Sequence, residues 1–353
     1  MSDPSRDRKE AVVTKERETQ MNKLMIVLLA AGAAFAAEGY HVLNKIKIGG
    51  TGTWDYVTVD SAAHRLYASH FSSVEVVDLD NGKVVGTIPQ LHLVHGIAIA
   101  PELNKGFITN GQSGSVTIFN LKTLAKEGEP QAQMNPDSIC YDKKTQNAFA
   151  FNGRSGSFTE ISGKTGEPLK TVPVGGKPEF CAADGNGKLY VNLEDKSSIA
   201  EIDTPKAEVV RTASISPCEE PSGLALDEKD GVLFSVCDNK LMAVTDVKSL
   251  KVVATPAIGA RPDAAGYDPG TGLAFSSNGE GTLTIVKKVN GKWDAVDTVK
   301  TENGARTMTV DPRTHRVYLL AAEFGPAPAV KAGERPRRPP VLPDTFHILV
   351  VGK

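Results

Sequence analysis

Four carboxylates, an imidazole, a hydroxyl and a guanidinium recur along the chain at nearly even spacing: Asp55, His95, Asp137, Glu179, Ser222, Asp263 and Arg306 follow one another at intervals of 40 to 43 residues. Brought together, they would form a polar centre with a definite chemistry. Carboxylates held close repel, and a bound cation or a retained proton relieves them. Oxygen-rich sets suit Ca or Mg, so Asp55, Asp137, Glu179 and Asp263 are candidate ligands for a divalent cation. His95 can serve as a base or a further ligand near neutral pH. Arg306 can pair with a carboxylate or hold an anionic ligand. Whether the seven meet depends on the elements between them.

Each of the seven lies five residues before one position of a recurring segment. The clearest copies are V-T-V-D-S-A-A-H-R-L-Y-A-S (57–69), I-C-Y-D-K-K-T-Q-N-A-F-A-F (139–151), L-A-L-D-E-K-D-G-V-L-F-S-V (224–236), A-G-Y-D-P-G-T-G-L-A-F-S-S (265–277) and M-T-V-D-P-R-T-H-R-V-Y-L-L (308–320). Two further copies carry Ala100 at the Asp position or run one residue shorter around Asp184. The Asp itself is turn chemistry, as in Asp268-Pro269-Gly270. Seven copies with a period of about 42 residues match a β-propeller, each copy supplying four strands and covering its neighbour. In the first copy the strands are expected near Tyr56–Val59 (a), Arg65–Ser69 (b), Val74–Asp78 (c) and Lys83–Ile88 (d). The last copy ends after a third strand, His347–Val351, while Val42–Ile48 has the alternation of an orphan fourth. The fold expected is an all-β, seven-bladed propeller closed by its N-terminal strand. In that layout the seven polar residues sit together at the channel mouth, on the face conventionally called the top.

The repeat resembles the YncE-like, YVTN-repeat propellers of exported bacterial proteins, from Tyr40 to Lys353. Lys188-Leu189-Tyr190-Val191-Asn192 and its counterparts carry the resemblance, each preceded by the Asp turn, together with Ala322-Glu323-Phe324-Gly325-Pro326-Ala327-Pro328. It implies the fold and leaves the activity open, because such propellers include nucleic-acid binders, scaffold-like proteins and relatives of metal-dependent lyases and lactonases.

The b–c corners add further candidates on the same face. His70 and Glu194 read as ligand contacts or solvated loop residues. Asn110-Gly111, Asn152-Gly153 and Asn278-Gly279 read as turn pairs that accept positive φ. His92-x-x-His95 is half of a metal signature, set on a loop rather than the helix such motifs use. Trp54 can stack on a ligand or pack between blades. Blade seven inserts roughly Glu323 to Thr345 with six prolines and with Arg335, Arg337 and Arg338. Such a stretch resists sheet formation and forms either a flap over the mouth or a solvated loop. Among the four cysteines, Cys218 and Cys237 fall at one end of blade five and are expected to pair. Cys140 and Cys181, on strand a of adjacent blades at different offsets, are expected to be free and buried.

Met21-Asn22-Lys23, the apolar run Leu24–Ala31 and Ala34-Phe35-Ala36 have the form of a secretory signal. The expected organisation is therefore an extension and signal over residues 1–36 and a single propeller over residues 37–353. It implies a periplasmic or secreted monomer with no membrane segment after cleavage. The 353-residue chain has a formal charge of −2, which supplies no general attraction for nucleic acid. No phosphate-cradling glycine loop, nucleophile elbow or haem motif is present. The functional expectation is binding of a small molecule, a cation or a protein partner at the acidic top face. The alternative is a lactonase-like, metal-dependent hydrolase or lyase with His95 as base.

Overall fold

The computed structural model describes residues 39–328 and 339–353. The signal-like segment and Arg335, Pro336, Arg337 and Arg338 of the blade-seven insert lie outside the described residues. His41–Gly352 forms one compact unit of seven four-stranded antiparallel sheets. Six blades are simple up-and-down meanders. Blade one runs Val57–Asp60, Arg65–His70, Ser73–Asp78 and Lys83–Ile88, within a residue of the sequence reading at most ends. Blade seven takes Met308–Asp311, Arg316–Ala321 and His347–Gly352 from the C-terminal end and His41–Lys47 from the N-terminal end. The closing pair is antiparallel, from His41 opposite Gly352 to Lys47 opposite His347, with one bulge between Val42 and Asn44.

The core lies between blades rather than within any one of them. Strand alternation divides each inner strand between two interfaces. In blade three, Ala148 and Ala150, with Ile139 of the same blade, pack towards Phe107 and Ile118 of blade two. Phe149 and Phe151 pack the other way, against Leu189, Val191 and Ile202 of blade four. The bottom turns are held by their aspartates. Asp60 accepts from the backbone N–H groups of Ala62 and Ala63 at 3.1 and 2.9 Å. Asp268 is fully buried, accepting from Gly270 N–H at 2.9 Å and Thr271 Oγ1 at 2.7 Å. These are the local side-chain turns that short acidic residues favour.

Both cysteine pairs are bonded. Cys218–Cys237 joins the top of blade five as expected, at a Cα separation of 5.5 Å. The expectation that Cys140 and Cys181 are free is overturned, since they form a second disulfide with Cα atoms 6.1 Å apart. Their unequal offsets have a simple reason. Residues that meet across an interface must lie on opposite faces of their own blades, and opposite faces require offsets of opposite parity. This bond ties the innermost strands of blades three and four, Pro136–Asp142 and Pro178–Ala183. Non-reducing peptide mapping is expected to recover both links, and the double variant Cys140→Ser/Cys181→Ser to lose about 2–4 kcal/mol of stability in denaturant titration. Mapped thiols at Cys140 and Cys181 in oxidised protein would contradict the assignment.

Candidate functional site at the channel mouth

A short repeated device aims the ring residues inward. In blades two, three, five and six, Leu93, Asn135, Glu220 and Arg261 adopt left-handed φ of 56, 55, 47 and 57°, two residues before the ring position. Pro then opens strand a in blades three to six, fixing φ where no ladder N–H is needed. A β-bulge follows at once, between Pro136 and Ile139, Pro178 and Cys181, Pro221 and Leu224, and Pro262 and Ala264. Blade two has the same bulge between Val94 and Ile97. Bulges re-aim side chains, and here they turn His95, Asp137, Glu179, Ser222 and Asp263 into the mouth.

The preceding blade then pins the backbone. Thr109 Oγ1 donates to the carbonyl of Asp137 and Ser138 Oγ to that of Glu179. Asn192 Nδ2 donates to Ser222 O at 2.9 Å, and Ser277 Oγ donates to Arg306 O. In blade one, Asp55 N–H donates to Ser69 Oγ at 2.8 Å.

The ring charges sort into three groups. His95 Nδ1 lies 2.6 Å from Asp55 Oδ2 and 3.9 Å from Asp137 Oδ1. Lys177 Nζ bridges Glu179, at 2.7 Å, and Glu194. Arg306 Nη1 donates to Asp263 Oδ1 at 3.0 Å. Below them the rings of Tyr56 and Phe180 stack at 4.4 Å, above a channel cavity of about 280 Å³ that both line. The Tyr56 hydroxyl is buried without a partner in hydrogen-bonding geometry, yet close enough to Asp137 to temper that carboxyl's rise in pKa.

Electrostatics follow from this crowding. Burial and the neighbouring Asp55 charge push Asp137 up to about 6. Burial and Asp137 push Glu179 up to about 8, outweighing its ion pair with Lys177. Burial works against charge on His95, but the hydrogen bond to Asp55 and the charge of Asp137 outweigh it and raise its pKa. Asp263 holds Arg306 more firmly protonated despite burial.

The other candidates separate. Glu194 joins the site through Lys177. His70 does not reach it: its ring packs 4.5 Å from that of Phe346, and its Nδ1 faces Glu75 Oε1 at 3.8 Å. Trp54 stacks on Phe346 at 5.3 Å and also approaches Phe324 at 6.0 Å, so it packs and borders the mouth at once. His92 is exposed on the loop, its backbone N–H donating to Asn110 Oδ1 at 3.1 Å.

The Asn-Gly corners have a different cause from the one expected. Gly111, Gly153 and Gly279 are not among the positive-φ residues, which are Gly114, Gly156 and Gly281 further along the same loops. These glycines provide clearance instead. A Cβ on Gly111 would stand 2.5 Å from His95 Nε2, and one on Gly279 would stand 3.3 Å from Arg261 Cβ and 3.6 Å from Arg306 Cβ. Asn110, Asn152 and Asn278 are fully buried. Asn152, for example, accepts from Gln133 N–H at 3.2 Å and donates to Ser157 and Thr159 at 3.1 Å.

On the far side of the ring a second pocket of about 470 Å³ is lined by Ser222, Arg261, Asp263, Arg306, Trp54 and Phe324, among others. The described feet of the blade-seven insert form one wall of it. Phe324 bridges Val341, Gly325 N–H donates to Pro340 O at 2.8 Å and Leu342 N–H to Glu323 O at 2.8 Å. Lys177, Tyr56 and Phe180 lie within one residue of a ring position or two, and their types alone gave no signal of a role.

No family model and no curated sequence matches the chain. Among solved structures it is similar to the Kuenenia stuttgartiensis Hydrazine Synthase, with 18% identity and a TM-score of 0.67 over 80% of this chain and 96% of that one. It is also similar to the structure of U3-55K, at 10% identity and a TM-score of 0.71 over 89% of this chain and 98% of that one. The RRP9 WD40 repeats match at 10% identity and a TM-score of 0.72 over 90% of this chain and 98% of that one. Identities this low define the class, a seven-bladed β-propeller, and nothing narrower.

The raised pKa values carry a consequence for stability. Since each folded-state value lies above its unfolded one, native protein retains protons that the unfolded chain has released, from the ordinary carboxylate range up to about pH 8. Stability therefore falls as pH rises through that window. His95 adds the same sign, its contribution present below the usual imidazole value and lost above the raised one. Melting temperature without added cations is expected to fall between mildly acidic and mildly alkaline pH, with Asp137→Asn and Glu179→Gln flattening the decline. A flat or rising wild-type profile would contradict this electrostatic account.

Proposed function

We propose that this protein is an exported propeller of the YncE-like kind whose mouth binds a small carboxylate-bearing ligand. The carrying observation is the pocket of about 470 Å³ that joins an aromatic wall to an arginine pair, with Glu194, Glu220, Asp238 and Asp263 also on its lining. Trp54 and Phe324 offer a planar apolar surface. Arg306 uses Nη1 on Asp263 and Arg261 uses Nη2 on Gly279 O and Asn303 Oδ1, at 2.6 and 2.8 Å. A guanidinium has five N–H donors, so each arginine is held in place with donors to spare for an anionic oxygen. Export is supported by the signal-like segment and by two disulfides, which persist in oxidising compartments.

A second reading, a lactonase-like hydrolase or lyase, is favoured by one observation. Burial and Asp137 raise the pKa of Glu179 against its ion pair with Lys177, which suits a general acid beside the Asp55–His95–Asp137 group. An acidic mouth speaks against a polyanion such as nucleic acid, whereas one carboxylate needs only the local arginine pair.

Benzoate and phenylacetate at millimolar concentration are expected to raise the melting temperature of wild type, and not that of Asp263→Asn/Arg306→Gln, which removes both partners of the ion pair together. Trp54→Ala is expected to weaken the response. Shifts that persist in the double variant, or none for any aromatic carboxylate, would reject the pocket as the binding site. Turnover of dihydrocoumarin that is lost in Glu179→Gln would move the assignment to the hydrolase.

A further inference from the structure

Of the four ring carboxylates, two have dedicated cationic partners. Glu179 is engaged by Lys177 and Asp263 by Arg306. Among the described residues, Asp55 and Asp137 share His95 as their one cationic partner. One carboxylate oxygen from each, together with a His95 ring nitrogen, all lie within 4.8 Å of one another. Donor atoms around a first-row dication with bonds of about 2.1 Å stand roughly 3–4 Å apart, so the 2.6 Å His95–Asp55 hydrogen bond must open and give up its proton while the wider pairs draw in around an ion. Three protein donors of this kind leave further positions for water or a ligand.

We propose that Asp55, His95 and Asp137 form a binding site for a first-row transition-metal dication, of which zinc is the best match. The inference deepens the mouth reading above by assigning its second half, and it departs from the Ca or Mg site expected from the sequence. The discriminating donor is the imidazole. Ca and Mg take hard oxygen ligands, whereas imidazole with carboxylate suits Zn and its neighbours.

Two independent features support ligation by His95. The first is clearance: a Cβ at Gly111 would stand 2.5 Å from His95 Nε2, although the φ of Gly111 does not call for glycine. A side chain at that position would have to displace the ring from where it stands. The second is orientation. Nε2 is buried against Gly111 with no hydrogen-bond partner, so Nδ1 is the nitrogen presented to the two carboxylates.

Isothermal titration of tag-free, EDTA-treated and dialysed protein tests the site, using the chlorides of zinc, manganese, calcium and magnesium. One equivalent of zinc is expected to bind at least roughly a hundredfold more tightly than calcium or magnesium, following the donor preferences of these ions. His95→Ala and Asp137→Asn are each expected to weaken zinc binding by about a hundredfold or more, losses of at least the size seen for supporting groups. Glu179→Gln and Asp263→Asn/Arg306→Gln are expected to remain within about threefold of wild type, since they contribute no donor. Cobalt substitution gives a readout independent of folding, a visible ligand-field spectrum present in wild type and absent in His95→Gln, which conserves polarity and approximate size. Calcium binding equal to zinc overturns the metal class, and unchanged binding in His95→Ala overturns the site. Zinc binding that fails while aromatic carboxylates still stabilise wild type sinks this inference and leaves the pocket reading standing.

Discussion

Neither face of a four-stranded blade can remain in water, because both faces of its inner strands carry large apolar side chains. Phe149 and Phe151 need blade four and Ala148 and Ala150 need blade two, and the same demand passes around the ring. An open array would leave two such faces exposed. Closure is therefore the condition on which every interface depends, and it rests on His41–Lys47 pairing with His347–Gly352. Ile46 on that strand joins Leu66, Val77, Tyr318 and Ile348 in a cluster that spans blades seven and one.

Closure also makes the mouth rigid enough to hold unfavourable charge. Seven inner strands converge on one channel, and the neighbouring blade clamps the carbonyls of Asp137, Glu179, Ser222 and Arg306 through Thr109, Ser138, Asn192 and Ser277. The Cys140–Cys181 bond fastens the two strands that carry Asp137 and Glu179, the pair whose mutual repulsion raises the pKa of Glu179. Left-handed residues at 93, 135, 220 and 261 add local strain of about 1–3 kcal/mol each. Packing between blades sustains both costs.

The sequence made the ring legible because one period governs everything it touches. A turn Asp recurs about every 42 residues, so counting back five residues finds the channel position in each blade. Asp268 and Asp263 could thus be separated into bottom turn and mouth, and the structure places them there. What escaped the reading depends on relations between blades. Pairing of Cys140 with Cys181 requires knowing that adjacent blades present opposite faces. Lys177 precedes a ring position without occupying one, and its two carboxylates come from the adjoining strand and from the turn after the next strand. Gly111 looked like a turn residue because its neighbour His95 is 16 positions away in sequence and in contact with it only in the fold.

Seven equivalent positions filled by unequal residues give the mouth a direction. On blades one to three, Asp55 and Asp137 both approach the His95 imidazole. On blades six and seven, Asp263 is neutralised by Arg306 beside Arg261 and the Trp54–Phe324 wall. Lys177 separates the two halves by occupying Glu179 and Glu194. A symmetric ring of carboxylates would favour one central cation and nothing more. On the reading proposed above, the asymmetry suits an ion on one side and the anionic group of a planar molecule on the other, so that a bound ligand would be oriented by charge as well as by shape.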